Sequence, residues 1–254
     1  MPDMAKVAPT SREEEIRTYY ETLYSAWGRQ YWWPARTRFE VIVGAYLTQN
    51  TSWSNVEIAM RRLRQGHLLS LAAMREVSLS ELENRIRSSG YFRQKAPRLK
   101  KFVAFVDEHY RGSLRCMFAQ PTDKLRQELL ALNGVGPETA DSILLYAGQH
   151  PVFVVDAYTR RVLERHQLVS AKASYDHVRE LCEQSLADVQ AAALTAESSY
   201  AHPPSAMSLA RRTPAAQVYN DMHGLIIAVG KHYCRKSEPL CTACPLRPFL
   251  PSGE

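Results

Sequence analysis

LLALNGVGPETADSILLYAGQHPVFVVDAYTRRVL, residues 129 to 163, is the stretch around which the rest of the chain is arranged. An apolar run ending at Leu132 is broken by Asn133-Gly134-Val135-Gly136. A second helix then begins with Pro137 in its first turn and runs through Ala140, Ile143, Leu144 and Ala147. The pattern is helix, tight hairpin, helix. Glycines at 134 and 136 let the backbone take positive φ and let another chain approach closely, while Pro137 loses nothing at a position whose N–H would be unpaired. Such a hairpin presents free amides. Amides at a helix N-terminus bind anions, and the anion a basic protein meets most often is a phosphate diester. Beyond Tyr146 the apolar burst Val152-Phe153-Val154-Val155 delivers Asp156, placed like an N-cap, to a helix-compatible run over residues 157–163.

The 254 residues allow one large or two small domains, and a hydrophobic content of 45% supplies a core. No apolar run reaches membrane-spanning length, and the amino end MPDMAKVAPTSREEE lacks the apolar centre of a secretion signal. No membrane partner and a cytoplasmic location are therefore expected. The net charge of +6 and the pI near 9.1 suit a polyanion partner, although 32 basic against 26 acidic residues is too even a balance to establish one. Five cysteines in a reducing compartment do not read as a disulfide framework. Three of them, Cys234, Cys241 and Cys244, crowd together and suggest a metal.

Residues 13–27 put Ile16, Tyr19, Tyr20, Leu23, Tyr24 and Trp27 at helical spacing behind an acidic first turn. Tyr31-Trp32-Trp33-Pro34 follows as an aromatic cluster ending in a rigid turn, which taken alone reads as core filling. Residues 39–46 are apolar enough for a buried helix, interrupted by the polar run Leu47-Thr48-Gln49-Asn50-Thr51-Ser52 before Trp53. Helices are expected over 54–64, 78–88, 99–106 and 174–186, and another from Val218 to Gly230. Thr122 is expected to cap the helix that leads into the hairpin. Residues 187–215, rich in Ala, Ser and Pro without periodicity, read as a flexible insertion.

The hairpin and the aspartate together resemble the helix-hairpin-helix DNA glycosylases of the endonuclease III superfamily. That family carries L-x-G-V-G in the hairpin and a catalytic aspartate 18 residues after a key position on the hairpin helix; here Leu132-Asn133-Gly134-Val135-Gly136 and the interval from Glu138 to Asp156 match. Either feature alone reads as structural, a turn and an N-cap. The resemblance implies an all-α, two-lobed fold with a C-terminal iron–sulfur-type cysteine loop. Residues 35–147 would form a six-helix domain carrying the helix-hairpin-helix at 129–147; 12–34 plus 148–233 would form a second helical lobe, and 234–250 the cysteine loop. The expected partner is damaged double-stranded DNA, bound by a monomer.

Trp-Trp-Pro, together with L-T-Q-N-T and a following aromatic, resembles the narrower branch of 3-methyladenine glycosylases built on that scaffold. The resemblance assigns Trp33, Pro34 and Trp53 to the base pocket, with Glu138 beside them. Gln49 or Asn50 would fill the gap left by a flipped nucleotide. Gly134, Val135 and Gly136 would grip the DNA backbone, with Arg93 and Lys95, from a G-Y/F-x-x-K-A pattern, as further phosphate contacts. Bifunctional members carry a lysine where this chain has Glu138, and a carboxylate cannot form their Schiff base. The implied enzyme is therefore monofunctional.

Cys234-x6-Cys241-x2-Cys244 matches three ligands of the family's C-x6-C-x2-C-x5-C loop, but position 250 is Leu250. A [4Fe–4S] cube ordinarily takes one thiolate per iron. Three alternatives stay open: a cluster with a non-cysteine or distant fourth ligand, zinc held with His232 or another residue, or an empty loop. The cluster ranks first.

The chemistry needs an ionised carboxylate. Breaking the bond from C1′ to a ring nitrogen passes through a cationic sugar, which Asp156 would stabilise while orienting water. N3- or N7-alkylated purines are cationic, leave without a strong general acid, and bind aromatic faces by cation–π attraction of about 2 kcal/mol when desolvated. Two competing functions remain, a glycosylase for oxidised or mispaired bases and a non-catalytic DNA-binding module.

Overall fold

The structure, a computed structural model, describes residues 11–189 and 201–251. The regular structure among them is helical, with no strand. In chain order the α-helices are α1 (Arg12–Trp27), α2 (Arg38–Leu47), α3 (Trp53–Gln65), α4 (Leu71–Glu76), α5 (Leu79–Arg85) and α6 (Phe92–Tyr110). They continue as α7 (Leu114–Met117), α8 (Thr122–Leu130), α9 (Pro137–Ser142), α10 (Ala157–Arg165), α11 (Tyr175–Ser185) and α12 (Pro214–His232). Many start on a short polar residue whose side chain accepts an otherwise orphaned backbone N–H, as Ser11, Thr37, Ser174 and Thr213 do. No helix among the described residues is long and apolar enough to cross a membrane.

The chain folds into two compact units, one of Met1–Trp32, Val152–Pro203 and Arg212–Glu254, the other of Trp33–Pro151 and Pro204–Arg211. In the first unit α1 buries its entire aromatic stripe, Ile16, Tyr19, Tyr20, Leu23, Tyr24 and Trp27, against α11 and α12. Helix α12 is buried along nearly its whole length and packs on α10. Gly230 makes that crossing possible, because a Cβ there would come within 2.3 Å of the Tyr158 ring. In the second unit α2 is the central helix, buried from Phe39 to Leu47 and packed on the segment that continues α9. Its one buried charge, Glu40, accepts from the Arg36 amide and the Arg64 guanidinium.

The division falls inside the Trp-Trp pair rather than after Pro34. Trp32 packs on His202 and lies under the Lys231 ammonium, whereas Trp33 packs on Gly44 and Tyr146. Neighbouring tryptophans thus serve different units, and the cysteine loop belongs to the first unit instead of standing apart.

The expected insertion at 187–215 is corrected where it can be seen; residues 190–200 lie outside the described residues. Ser205 Oγ donates to the Trp33 carbonyl, the Met207 amide donates to the Ala35 carbonyl, and the Met207 side chain is buried. Residues 204–211 are therefore built into the second unit, and α12 begins at Pro214. Thr122 opens α8 without capping it, since its hydroxyl pairs with His150 Nδ1 at 2.9 Å.

Candidate functional site

The hairpin forms as its sequence requires, between α8 and α9. Gly134 has φ +82°, a conformation that favours glycine, and a Cβ there would push aside the Arg98 side chain that lies against it. Gly136 differs from the expectation: its φ is −92°, it caps α9, and a Cβ would meet nothing within 4 Å. Its bareness leaves the backbone approachable from outside. The Val135 amide is spent on the Leu132 carbonyl, and its side chain is buried. Among the described residues the Gly134 and Gly136 amides take no backbone partner. Arg98, which the sequence pattern did not single out, lays its guanidinium along Gly134 and brings a positive charge to the hairpin.

Gln49 Nε2 donates to the Gly134 carbonyl and to Thr139 Oγ1, both at 2.9 Å. It straps the end of α2 to the hairpin, which corrects its alternative assignment as a gap-filling side chain. Asn50 is exposed, with φ +54°, in the left-handed region that asparagine tolerates.

Lys95 is also corrected. It is 1% exposed, and its Nζ donates to the Leu47 and Ser89 carbonyls at 2.8 and 2.7 Å. Burial lowers its pKa to about 8. The ammonium closes two chain ends internally and cannot reach a phosphate. Arg93 is exposed beside Phe92, its guanidinium 5.7 Å from the ring centre.

The two pocket tryptophans meet edge to face, centroids 5.3 Å apart at 81°. A base held between them would need parallel planes about 7 Å apart, twice the ~3.4 Å stacking rise of nucleic acid bases. The two rings therefore form a corner and do not sandwich a base. Trp33 is 6% exposed, against Gly44 and Tyr146, and is core. Trp53 is half-buried at the start of α3, its Nε1 donating to Glu57 at 2.9 Å. Pro34 is half-buried beside Trp33, and Glu138 is exposed in the first turn of α9. After Ser142, α9 widens into a π-helical segment, Ile143–Gly148, which carries the fully buried Tyr146.

In the first unit Asp156 caps α10. Its Oδ1 accepts from the Thr159 amide at 2.8 Å and from the Thr159 hydroxyl at 3.1 Å, which fixes the carboxylate plane. Its Oδ2 lies 3.6 Å from His223 Nε2, and the side chain keeps 14% of its surface exposed. Burial lowers the His223 pKa, with the Asp156 charge acting the other way. His223 escaped the sequence reading, although a histidine within the otherwise apolar 222–229 run of α12 was a usable signal.

Two arginines of α10 reach the cysteine loop. Arg161 donates to the Cys234 carbonyl at 2.7 Å and to the Gly230 carbonyl at 3.0 Å. Arg165 donates to Cys234 Sγ at 3.4 Å and to the Arg235 and Lys236 carbonyls. Cys234, Cys241 and Cys244 line one cavity of about 220 Å³, together with Leu250, His166 and Arg247. Neither Cys182, buried in α11, nor His232 lines it. Among the described residues no three His, Cys, Asp or Glu side chains form a group that could hold a metal ion as they stand. Burial raises the Cys244 thiol above its ordinary pKa, opposed by a hydrogen bond with the Leu246 backbone and reinforced by Cys234 and Cys241. Three thiols lining one cavity, with Arg165 against Cys234 Sγ, are donors of the kind an iron–sulfur group takes.

Residues 43–188 match the family model described as HhH-GPD superfamily base excision DNA repair protein. The chain is 40% identical over 238 residues to the protein of Methanocaldococcus jannaschii named "Putative DNA repair glycosylase MJ1434", covering 93% of this chain and 96% of that one. Among solved structures it is similar to the 3-methyladenine DNA glycosylase of H. pylori bound to 1,N6-ethenoadenine, with a TM-score of 0.68, 25% identity, and 87% of this chain and 97% of that chain covered. A non-covalent endonuclease III–DNA complex shares the fold, with a TM-score of 0.67, 24% identity and 94% of each chain covered.

Proposed function

This chain belongs to the HhH-GPD superfamily of base excision DNA repair proteins, and we propose that within it the chain is a monofunctional DNA glycosylase releasing alkylated purines, 3-methyladenine foremost, from damaged duplex DNA. The observation that carries the catalytic part is Asp156, whose Oδ1 is fixed by Thr159 while the side chain stays partly open. A carboxylate held in one plane meets a developing positive charge without reorganising.

On this reading the Gly134 and Gly136 amides, with Arg98 beside them, grip a phosphate, and Asn50 fills the space vacated by the extruded nucleotide. Trp53 stacks on the base. The bond from C1′ to the purine nitrogen breaks with its electron pair leaving on the cationic base. Asp156 stabilises the resulting oxocarbenium, water oxygen bonds to C1′, and the water proton passes to the carboxylate and then to solvent. The product is an abasic site. Glu138 occupies the hairpin-helix position and, as a carboxylate, forms no imine, so borohydride should trap no adduct through it.

The alkylpurine preference is supported by the indole of Trp53 and by the likeness to the H. pylori enzyme. The competing reading, a glycosylase for oxidised or mispaired bases, shares Asp156 and the hairpin. Duplex oligonucleotides carrying single defined lesions distinguish them: release of 3-methyladenine with thymine glycol untouched is the expected result, and the reverse pattern refutes the proposal.

Cys234, Cys241 and Cys244 would hold a [4Fe–4S] cluster. Zinc held by the same thiols is the competing reading, and metal and sulfide analysis of the purified protein separates the two. When bound, the cluster supplies a cross-link and takes no part in the hydrolysis. Arg161 and Arg165 tie the loop to α10, and through that helix to Asp156 at its start.

A further inference from the structure

Leu250 stands at the sequence position of the missing fourth cysteine and offers only an alkyl group to the cavity it lines. The residue before it leads to a donor. The Phe249 carbonyl lies 3.3 Å from Nδ1 of His166, and the His166 ring lines the same cavity as the three thiols. His166 follows α10 directly, so it is anchored by the helix whose Arg165 touches Cys234.

The hydrogen bonds around this ring define its tautomer. Tyr19 has one hydroxyl proton, and its oxygen lies 2.5 Å from Glu15 Oε1, an acceptor-only carboxylate. That proton goes to Glu15. The same Tyr19 oxygen lies 2.7 Å from His166 Nδ1, so here the ring must donate, and the Phe249 carbonyl accepts from the same side. Nδ1 therefore carries the proton and Nε2 the lone pair. Among the described residues Nε2 takes no hydrogen-bond partner. A neutral imidazole whose one nitrogen is pinned by a carbonyl and a hydroxyl, with the other left as a bare donor, is how proteins orient a histidine toward a metal.

We propose that His166 is the fourth ligand of the iron–sulfur group, binding through Nε2 at the corner that Leu250 leaves without a cysteine. The inference rests on the cluster reading given above. It makes the site Cys3His, with Tyr19, Glu15 and the Phe249 carbonyl as the outer support of the histidine. It also makes α10 a direct bridge, beginning at Asp156 and ending beside a cluster ligand.

The test uses the full chain purified without oxygen, with iron and sulfide assayed and the reduced protein examined by pulsed electron paramagnetic resonance after ¹⁵N-histidine labelling. The expected result is a bound cluster with a strong nitrogen coupling that changes isotope on labelling. His166→Ala should lose that coupling and part of its iron, whereas His166→Cys should recover the iron without the coupling. A cluster with no histidine nitrogen coupled, or with unchanged iron and spectrum in His166→Ala, overturns the proposal and leaves the cluster standing. Protein without iron and sulfide overturns the cluster reading and this inference together.

Discussion

Asp156 Oδ2 lies 3.6 Å from His223 Nε2 while Oδ1 is bound twice by Thr159, so one oxygen of the carboxylate is held within α10 and the other faces α12. Asparagine caps helices as well as aspartate does. Asp156→Asn should therefore fold normally and bind lesion-free DNA unchanged, yet release no base in single-turnover assays. Retained release would remove Asp156 from its role.

His223 is fully enclosed behind that carboxylate. Replacing it with leucine keeps the apolar packing of α12 and removes the polar neighbour on Oδ2. The expected cost is about tenfold in single-turnover rate, roughly 1.4 kcal/mol of transition-state stabilisation, with DNA affinity unaltered. A rate equal to that of the parent protein would make His223 a packing residue only.

Arg93 and Lys95 sit two residues apart on α6 and should fail differently. Arg93→Ala removes an exposed cation, and the slope of log K against log salt for DNA binding should fall by about one. Lys95→Met strands two buried carbonyls, Leu47 and Ser89, and should lower stability by about 2–4 kcal/mol in denaturant unfolding, with the salt slope unchanged. A lowered salt slope in Lys95→Met would restore it as a phosphate contact.

That pair shows where sequence stops being legible. The six-residue stripe of α1 and the hairpin at Gly134 could be read because burial follows helical period and positive φ follows glycine. The direction of Lys95, Gln49 or Trp33 is decided by neighbours remote in sequence: Leu47, Gly134 and Tyr146. Residue type at those positions fits both a DNA contact and an internal strut, and only packing chooses. His166 and His223 were hidden for the same reason, since each acquires its meaning from a residue more than 60 positions away.

Asp221 is buried on α12 beside Arg29, 3.4 Å away, and Gln217, and burial pushes its carboxyl up to about 6 against the lowering effect of those partners. A carboxyl pKa raised by folding means that the folded state holds the proton more tightly. Stability then falls as pH rises from about 4 to about 6, by about 3 kcal/mol in all. Asp221→Asn should flatten the stability curve over that window while leaving its shape elsewhere intact. Denaturant midpoints measured at several pH values check this, and an identical slope in the variant would assign the pH dependence to other groups.

Substrate choice depends on how differently Trp33 and Trp53 are placed. Trp33 is enclosed by Gly44, Tyr146 and Trp53, so Trp33→Ala should open a cavity and cost about 3–5 kcal/mol of stability, impairing excision of every lesion alike. Trp53 is half-buried, its Nε1 donating to Glu57 and its ring meeting Trp33 edge to face. Trp53→Ala should leave the melting temperature within a few degrees of the parent and lose about 1–3 kcal/mol of base stacking, a roughly ten- to hundredfold drop in 3-methyladenine release. Trp53→Phe keeps a π face and should recover part of that loss. If the two alanine variants instead lose stability equally and excision in proportion, both tryptophans are core and the base is held by other residues.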